Sequence, residues 1–158
     1  MRYLIYDTAL NGLPTLLVLQ KYYTVNQSLF KGTKDEALIE ASPWLFRVDS
    51  EQDGNLSEEM DLSMLFTLQF DSAGDIHALS THLRKFIYQV IDGREYFFRF
   101  YDARVLKKFL PTCDEEQVLE FFGPIDQFMI GGDTENEVIQ FRQEHGILKK
   151  QPITFINQ

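Results

Sequence analysis

The chain has 158 residues, with 15 Lys+Arg against 24 Asp+Glu, a formal net charge of −9 and a hydrophobic fraction of 44%. That length suits one domain with a single sizeable core, and the composition is globular rather than disordered. The negative charge has no compensating basic tract beyond Lys107-Lys108 and Lys149-Lys150, which excludes nucleic acid as a partner and disfavours an anionic membrane.

The longest apolar stretch, Leu13–Leu19, contains Pro14 and Thr15 and is far short of the roughly 20 residues that span a bilayer. At the N-terminus Asp7 interrupts the apolar run before a signal-peptide core forms. A lone cysteine, Cys113, makes neither an internal disulfide nor a thiolate zinc site. The expectation is a cytoplasmic protein with small-molecule or protein partners. Its aromatic content is heavy: 14 Phe, 7 Tyr and 1 Trp. Each ring brings about 150–250 Å² of surface that prefers burial.

In chain order, Tyr3–Tyr6 reads as a strand ended by Asp7 and the Asn11-Gly12 turn pair. Leu13-Pro14 opens a helix to about Lys21, since proline is tolerated in a first turn. Ser28–Phe30 and Trp44–Val48 are strand candidates, and an apolar run from Leu62 ends as a strand near Phe70. Ile76, Leu79, Leu83 and Phe86 or Ile87 recur at spacings of three and four, which predicts an amphipathic helix to about Lys85. Asp92-Gly93 lies between two β-prone runs, a strong hairpin signal because both central residues of a type I′ turn need positive φ. The second arm, through Tyr101, is apolar on both faces apart from Arg99, which predicts a central strand covered on both sides. A helix through Val105–Leu110 stops at Pro111, and another runs from Asp114 to Phe122 before Gly123-Pro124. Ile125–Ile130 reads as a strand, Glu135–Glu144 as a helix stopped by Gly146, and Pro152–Ile156 as a loose tail or edge strand. The fold class is α/β with α+β character: one domain over residues 1–158, whose mixed sheet includes a hairpin over 86–101 and is flanked by helices.

Several constellations invite a chemical reading. Asp49–Met60 has acids at loop positions 1, 3 and 5 and glycine at 6, imitating a calcium-binding EF-hand loop. Its twelfth position is Met60 where a bidentate glutamate is required, so an acidic solvated loop is the better account. His77 and His82 are five residues apart and diverge by roughly 140° around a helix, too far apart to grip one metal. There is no Gly-x-Ser-x-Gly elbow, no phosphate loop and no Gly-x-Gly-x-x-Gly. No metal or other cofactor is expected. Arg99-Phe100-Tyr101-Asp102-Ala103-Arg104 sets two arginines and an acid at a junction leading into a helix. A buried arginine there requires a carboxylate, and Asp102 is placed to cap the following helix and to receive Arg84 or Arg104.

These residues also carry a resemblance. His82-Leu83-Arg84, the Asp92-Gly93 hairpin, Phe98-Arg99-Phe100-Tyr101-Asp102-Ala103-Arg104-Val105 and Phe121-Phe122-Gly123-Pro124 follow one another in an order that resembles the type VI secretion effector-adaptor family. Its members are called Tap or TEC proteins and were first catalogued as a domain of unknown function. Tyr3–Asp7 and Ser42–Leu45 also look like family positions, and the likeness runs from about residue 3 to 130, leaving a C-terminal helix and tail over 131–158. Ala103 departs from the proline usual there, yet alanine is a good helix former and the helix can still start.

The resemblance implies a non-enzymatic cytoplasmic adaptor that binds a toxic effector and helps load it onto the VgrG spike. It makes Arg84, Arg99, Tyr101, Asp102 and Arg104 signature residues that hold the domain together. Aromatic residues beyond the needs of the core would serve partner binding, with Tyr22, Tyr23, Trp44, Phe128 and Phe141 as candidates. The alternative is a small hydrolase or transferase gathering Arg99, Asp102, His82 and Cys113. A third reading is a self-associating scaffold.

Overall fold

The computed structural model describes residues 1–48, 68–134 and 137–154. The acidic Asp49–Met60 loop lies outside the described residues, and with it the calcium-like motif. Within them, β1 (Arg2–Asp7), β2 (Asn26–Ser28), β3 (Pro43–Arg47), β4 (Leu68–Ser72), β7 (Ile125–Gly131), β8 (Glu137–Glu144) and β9 (Ile147–Thr154) form one seven-stranded sheet in the order β2-β3-β1-β4-β7-β8-β9. Every ladder is antiparallel. The remaining strands, β5 (Tyr88–Ile91) and β6 (Arg94–Phe97), make a separate two-stranded sheet. The helices are α1 (Thr8–Asn11), α2 (Leu13–Tyr22), α3 (Ile76–Ile87), α4 (Ala103–Phe109) and α5 (Glu115–Phe122). The architecture is a single α+β domain.

Strand alternation explains how the layers assemble. In β1, Tyr3 and Ile5 face the main core beneath α3, α4 and α5, while Leu4 and Tyr6 face a second core built with Leu16, Leu19 and Tyr23. β1 is therefore covered on both faces, as is its neighbour β3, which sends Leu45 into the main core and Phe46 into the second. Farther along the sheet, the face opposite the main core is polar and is tied across four strands. Arg2 donates to Asp71 (3.0 Å), Gln127 donates to the same carboxylate (2.5 Å), and Gln140 and Arg142 both donate to the Gln127 side-chain oxygen (2.7 and 2.9 Å). Burial opposes ionisation of Asp71, but the bonds from Arg2 and Gln127 prevail and hold its pKa below the ordinary value.

Local chemistry sets the element ends. Asp75 caps α3 by accepting from the Ala78 N–H (2.8 Å), and α3 passes directly into β5 through an extended Tyr88. Asp114 and Gln117 form a reciprocal capping box on α5. Asp92 and Gly93 both have positive φ, as a type I′ turn requires.

Three expectations are corrected. First, the sheet is antiparallel rather than mixed in the described ladders. The hairpin spans 88–97 rather than 86–101 and stands apart from the main sheet. Second, the double-covered strands are β1 and β3, not the second hairpin arm. β6 ends at Phe97, all four of its residues are exposed, and Phe98–Asp102 leaves the strand to make the turn into α4. The apolar run reflects a base packed on the core, not a strand covered on both faces. Third, the segment read as a helix at Glu135–Glu144 is β8, and the expected C-terminal helix and tail form the β8–β9 hairpin. His145 and Gly146 both have positive φ, so Gly146 completes a two-residue turn instead of terminating a helix.

Candidate functional site

The junction between the hairpin and α4 brings together residues far apart in sequence. Asp7, the N-cap of α1, is fully buried, and its carboxylate takes both the Leu10 N–H (3.3 Å) and the Arg99 guanidinium. Arg99 is thus anchored to the end of β1 by a residue 92 positions away. Burial works against its charge, but the pairing with Asp7 raises its pKa overall. Its guanidinium also lies 5.8 Å from the Tyr101 ring centre. Tyr101 is buried, and desolvation with the nearby Asp7 charge pushes its phenol well above the ordinary range.

Asp102 caps α4, accepting from the Arg104 N–H (2.9 Å), and Arg104 closes back on it with Nε–Oδ1 and Nη2–Oδ2 bonds of 3.0 and 2.8 Å. Those bonds from Arg104 hold the Asp102 carboxyl below its ordinary pKa against the opposing effect of burial. The two arginines thus serve two different carboxylates: Arg99 takes Asp7 and Arg104 takes Asp102. Arg84 joins neither pair. Its Nε donates to the Leu29 carbonyl (3.2 Å), and its Nη2 is buried without a hydrogen-bond partner among the described residues.

Sequence reading recognised the Asp102 cap and the Arg104 contact. It missed Asp7, which looked like a strand end. The available signal was an Asp immediately after a buried strand and three residues before Leu10, the spacing of a cap.

The other two members of the alternative enzymatic site are engaged elsewhere. His82 Nε2 lies 2.9 Å from the Phe121 carbonyl and stacks edge-on against Phe86; its burial lowers its pKa. The Cys113 Sγ is 3.6 Å from the Phe109 carbonyl, and burial with the Asp114 charge raises its pKa, the opposite of nucleophile activation. Among the described residues, no group of three His, Cys, Asp or Glu side chains is placed to hold a metal ion.

The aromatic candidates divide. Phe128 and Phe141 lie on the core face of β7 and β8 and are completely buried, and Tyr23 packs edge-on against Phe46 in the second core. Strand parity turns Phe128 and Phe141 inward, while Tyr23, at the C-terminal end of α2, is closed in by the second core. Tyr22 and Trp44 are partly buried against the second core, with Lys21 over the Tyr22 ring.

Among the described residues, four of the eleven exposed large hydrophobic side chains lie together on the hairpin: Val90, Ile91, Tyr96 and Phe97 are 71, 57, 49 and 44% exposed. The register pairs Tyr88 with Phe97 and Val90 with Glu95 on one face, and Gln89 with Tyr96 and Ile91 with Arg94 on the other. The first face leans on the body at its base. Phe97 packs edge-on with Phe30, Tyr88 and Tyr101, the Tyr88 hydroxyl donates to Asp35 (2.5 Å), and Lys34 pairs with Glu95. On the second face, Ile91, Tyr96 and Arg94 are all exposed.

No helix among the described residues is long and apolar enough to cross a membrane. A family model described as a domain of unknown function (DUF4123) matches residues 2–120, from β1 into α5, so both carboxylate–arginine pairs and the hairpin fall inside it while β7–β9 fall outside. No curated protein and no solved structure matches the chain.

Proposed function

From the premise that this chain belongs to the DUF4123 family, which is associated with effector adaptors of the type VI secretion system, we propose that it is a non-enzymatic adaptor. In this role it binds a toxic effector and helps load it onto the VgrG spike. The observation that carries the reading is the family match over residues 2–120.

Two structural features support it. The arginines and acids of the signature segment are consumed in pairs that join β1, the hairpin base and α4, so they act as scaffold. An apolar surface open to recognition is present on the hairpin, where Val90, Ile91, Tyr96 and Phe97 are exposed. Co-expression with the effector and spike proteins encoded beside this chain tests the proposal. A co-purifying complex is the expected result, and failure to retain either protein overturns it. Asp102→Asn separates this role from the enzymatic alternative, because an adaptor loses stability where an enzyme would remain folded and lose turnover.

A further inference from the structure

Antiparallel pairing sets Gln127, Arg142 and Lys149 side by side across β7, β8 and β9, on the face turned away from the main core. Arg142 and Lys149 stand directly opposite one another, and both are exposed. Like charges in that arrangement repel and cost the fold stability. Neither forms an ion pair among the described residues, whereas Arg2, Arg99, Arg104 and Lys107 each have an aspartate. Asp71, in the same row, is already taken by Arg2 and Gln127. Glu144 shares the face but lies opposite Ile147, and it pairs with neither cation among the described residues.

The arginine is also held ready. Its Nε donates to the Gln127 side-chain oxygen (2.9 Å), which also accepts from Gln140 (2.7 Å), while the Gln127 amide nitrogen is fixed on Asp71 (2.5 Å). Both terminal nitrogens of Arg142 are left without a hydrogen bond among the described residues. A guanidinium fixed in this way presents a planar fork that matches a carboxylate, and it loses little freedom on binding one. Lys149 adds a second charge beside the fork. The acids on and around β7 and β8 favour a short ligand over an extended polyanion, since Asp126, Asp133 and Glu144 are all exposed. Both cations lie outside the residues 2–120 that the family model matches.

We propose that Arg142 and Lys149 form a docking site for a short acidic segment of a second partner protein, separate from the hairpin surface. The Arg142 fork takes one carboxylate through two N–H groups, and Lys149 takes the same carboxylate or its neighbour. Repulsion between the two cations is relieved when the segment is bound. This inference rests on the adaptor reading, which requires two partners, and it names the chemistry of one of them.

The test titrates the isotope-labelled full chain with an octapeptide of Gly and Ser around three central Glu residues, and with its Gln counterpart, followed by amide chemical shifts. The expected result is that the Glu peptide binds at least about fivefold tighter than the Gln peptide and weakens as salt is raised. Its shifts should gather at Gln127, Arg142 and Lys149. Arg142→Gln combined with Lys149→Gln should weaken binding of the Glu peptide by about fivefold or more. Lys150→Gln, on the other face of β9, and Ile91→Ser combined with Tyr96→Ser on the hairpin should leave it unchanged. Lys149→Gln alone should keep or slightly raise the melting temperature, because it removes a like-charge pair at an exposed position. Equal binding of the two peptides, undiminished binding by the double variant, or inorganic phosphate binding as tightly as the Glu peptide overturns the inference; so does sedimentation showing an Arg142-dependent dimer. Tighter peptide binding after the acids of residues 49–61 are changed to amides would assign the site to this chain's own segment and also overturn it. A chain that co-purifies with effector and spike yet fails the peptide test refutes only this inference. A chain that binds the Glu peptide but captures neither protein refutes the adaptor reading.

Discussion

The sheet body and the hairpin use the same residue types to opposite ends. In the body, Phe121 sits among Phe86, Phe100, Phe109 and Phe128 at ring separations of 5.0 to 5.7 Å, all within one core. In the hairpin, the aromatic and aliphatic side chains beyond the base stand in solvent. An aromatic residue in the body contributes to stability, because its removal leaves a cavity that surrounding rings cannot fill. The same residue at the hairpin tip contributes little to folding, so its apolar surface is free for recognition.

The contrast is sharpest for Phe121→Ala, which should destabilise the fold by about 3–5 kcal/mol, against less than about 0.5 kcal/mol for Tyr96→Ala. Urea denaturation of the two variants measures the difference, and equal losses would break the distinction. Gly123 lies at the joint of the body, where a Cβ would sit 2.3 Å from the His82 ring and φ is +48°. Gly123→Ala should therefore lose about 2–3 kcal/mol, read by the same method, with the hairpin unaffected. Asp7→Ala removes a helix cap and leaves Arg99 without its carboxylate, and about 2 kcal/mol is expected from thermal unfolding.

The smallest effect in this series is a pH dependence confined to the body. Burial lowers the folded-state pKa of His82, so the unfolded chain binds the proton more readily. The resulting stabilisation is present above the unfolded value of about 6.5 and is lost as pH falls through the lower folded value. Asp102 has the same sign at lower pH. Its pKa is also lowered, so its contribution is present above the ordinary carboxylate value of about 4 and is lost in stronger acid. A series of melting temperatures across mildly acidic pH should show a slope that His82→Gln flattens. An unchanged slope would remove His82 from the account.

The two regions also differ in how legible they were in the amino-acid sequence. The amphipathic spacing of α3, the Asp92-Gly93 turn and the Asp102 cap are local patterns, and each formed as its local physics demands. Residues 135–144 misled because Val138 and Phe141 also match a helical spacing. Their strand state is decided by pairing with β7 and β9 and by the His145-Gly146 turn, and that pairing is nonlocal. The aromatic run from Tyr96 to Tyr101 misled for a related reason. Composition reports how apolar a strand is, but not whether a second layer lies above it. The Asp7–Arg99 pair was the least legible, since no local rule connects residues 92 positions apart. Likewise, Phe128 and Phe141 could be placed inside only once the register of β7 and β8 was known.

Hydrogen exchange of the co-purified effector complex, compared with the free chain, tests the division of labour most directly. The expected result is new protection across residues 88–97, with the amides of β1 and β4 equally protected in both states. Protection that gathers on β9 or α2 while the hairpin exchanges as in the free chain would contradict the account.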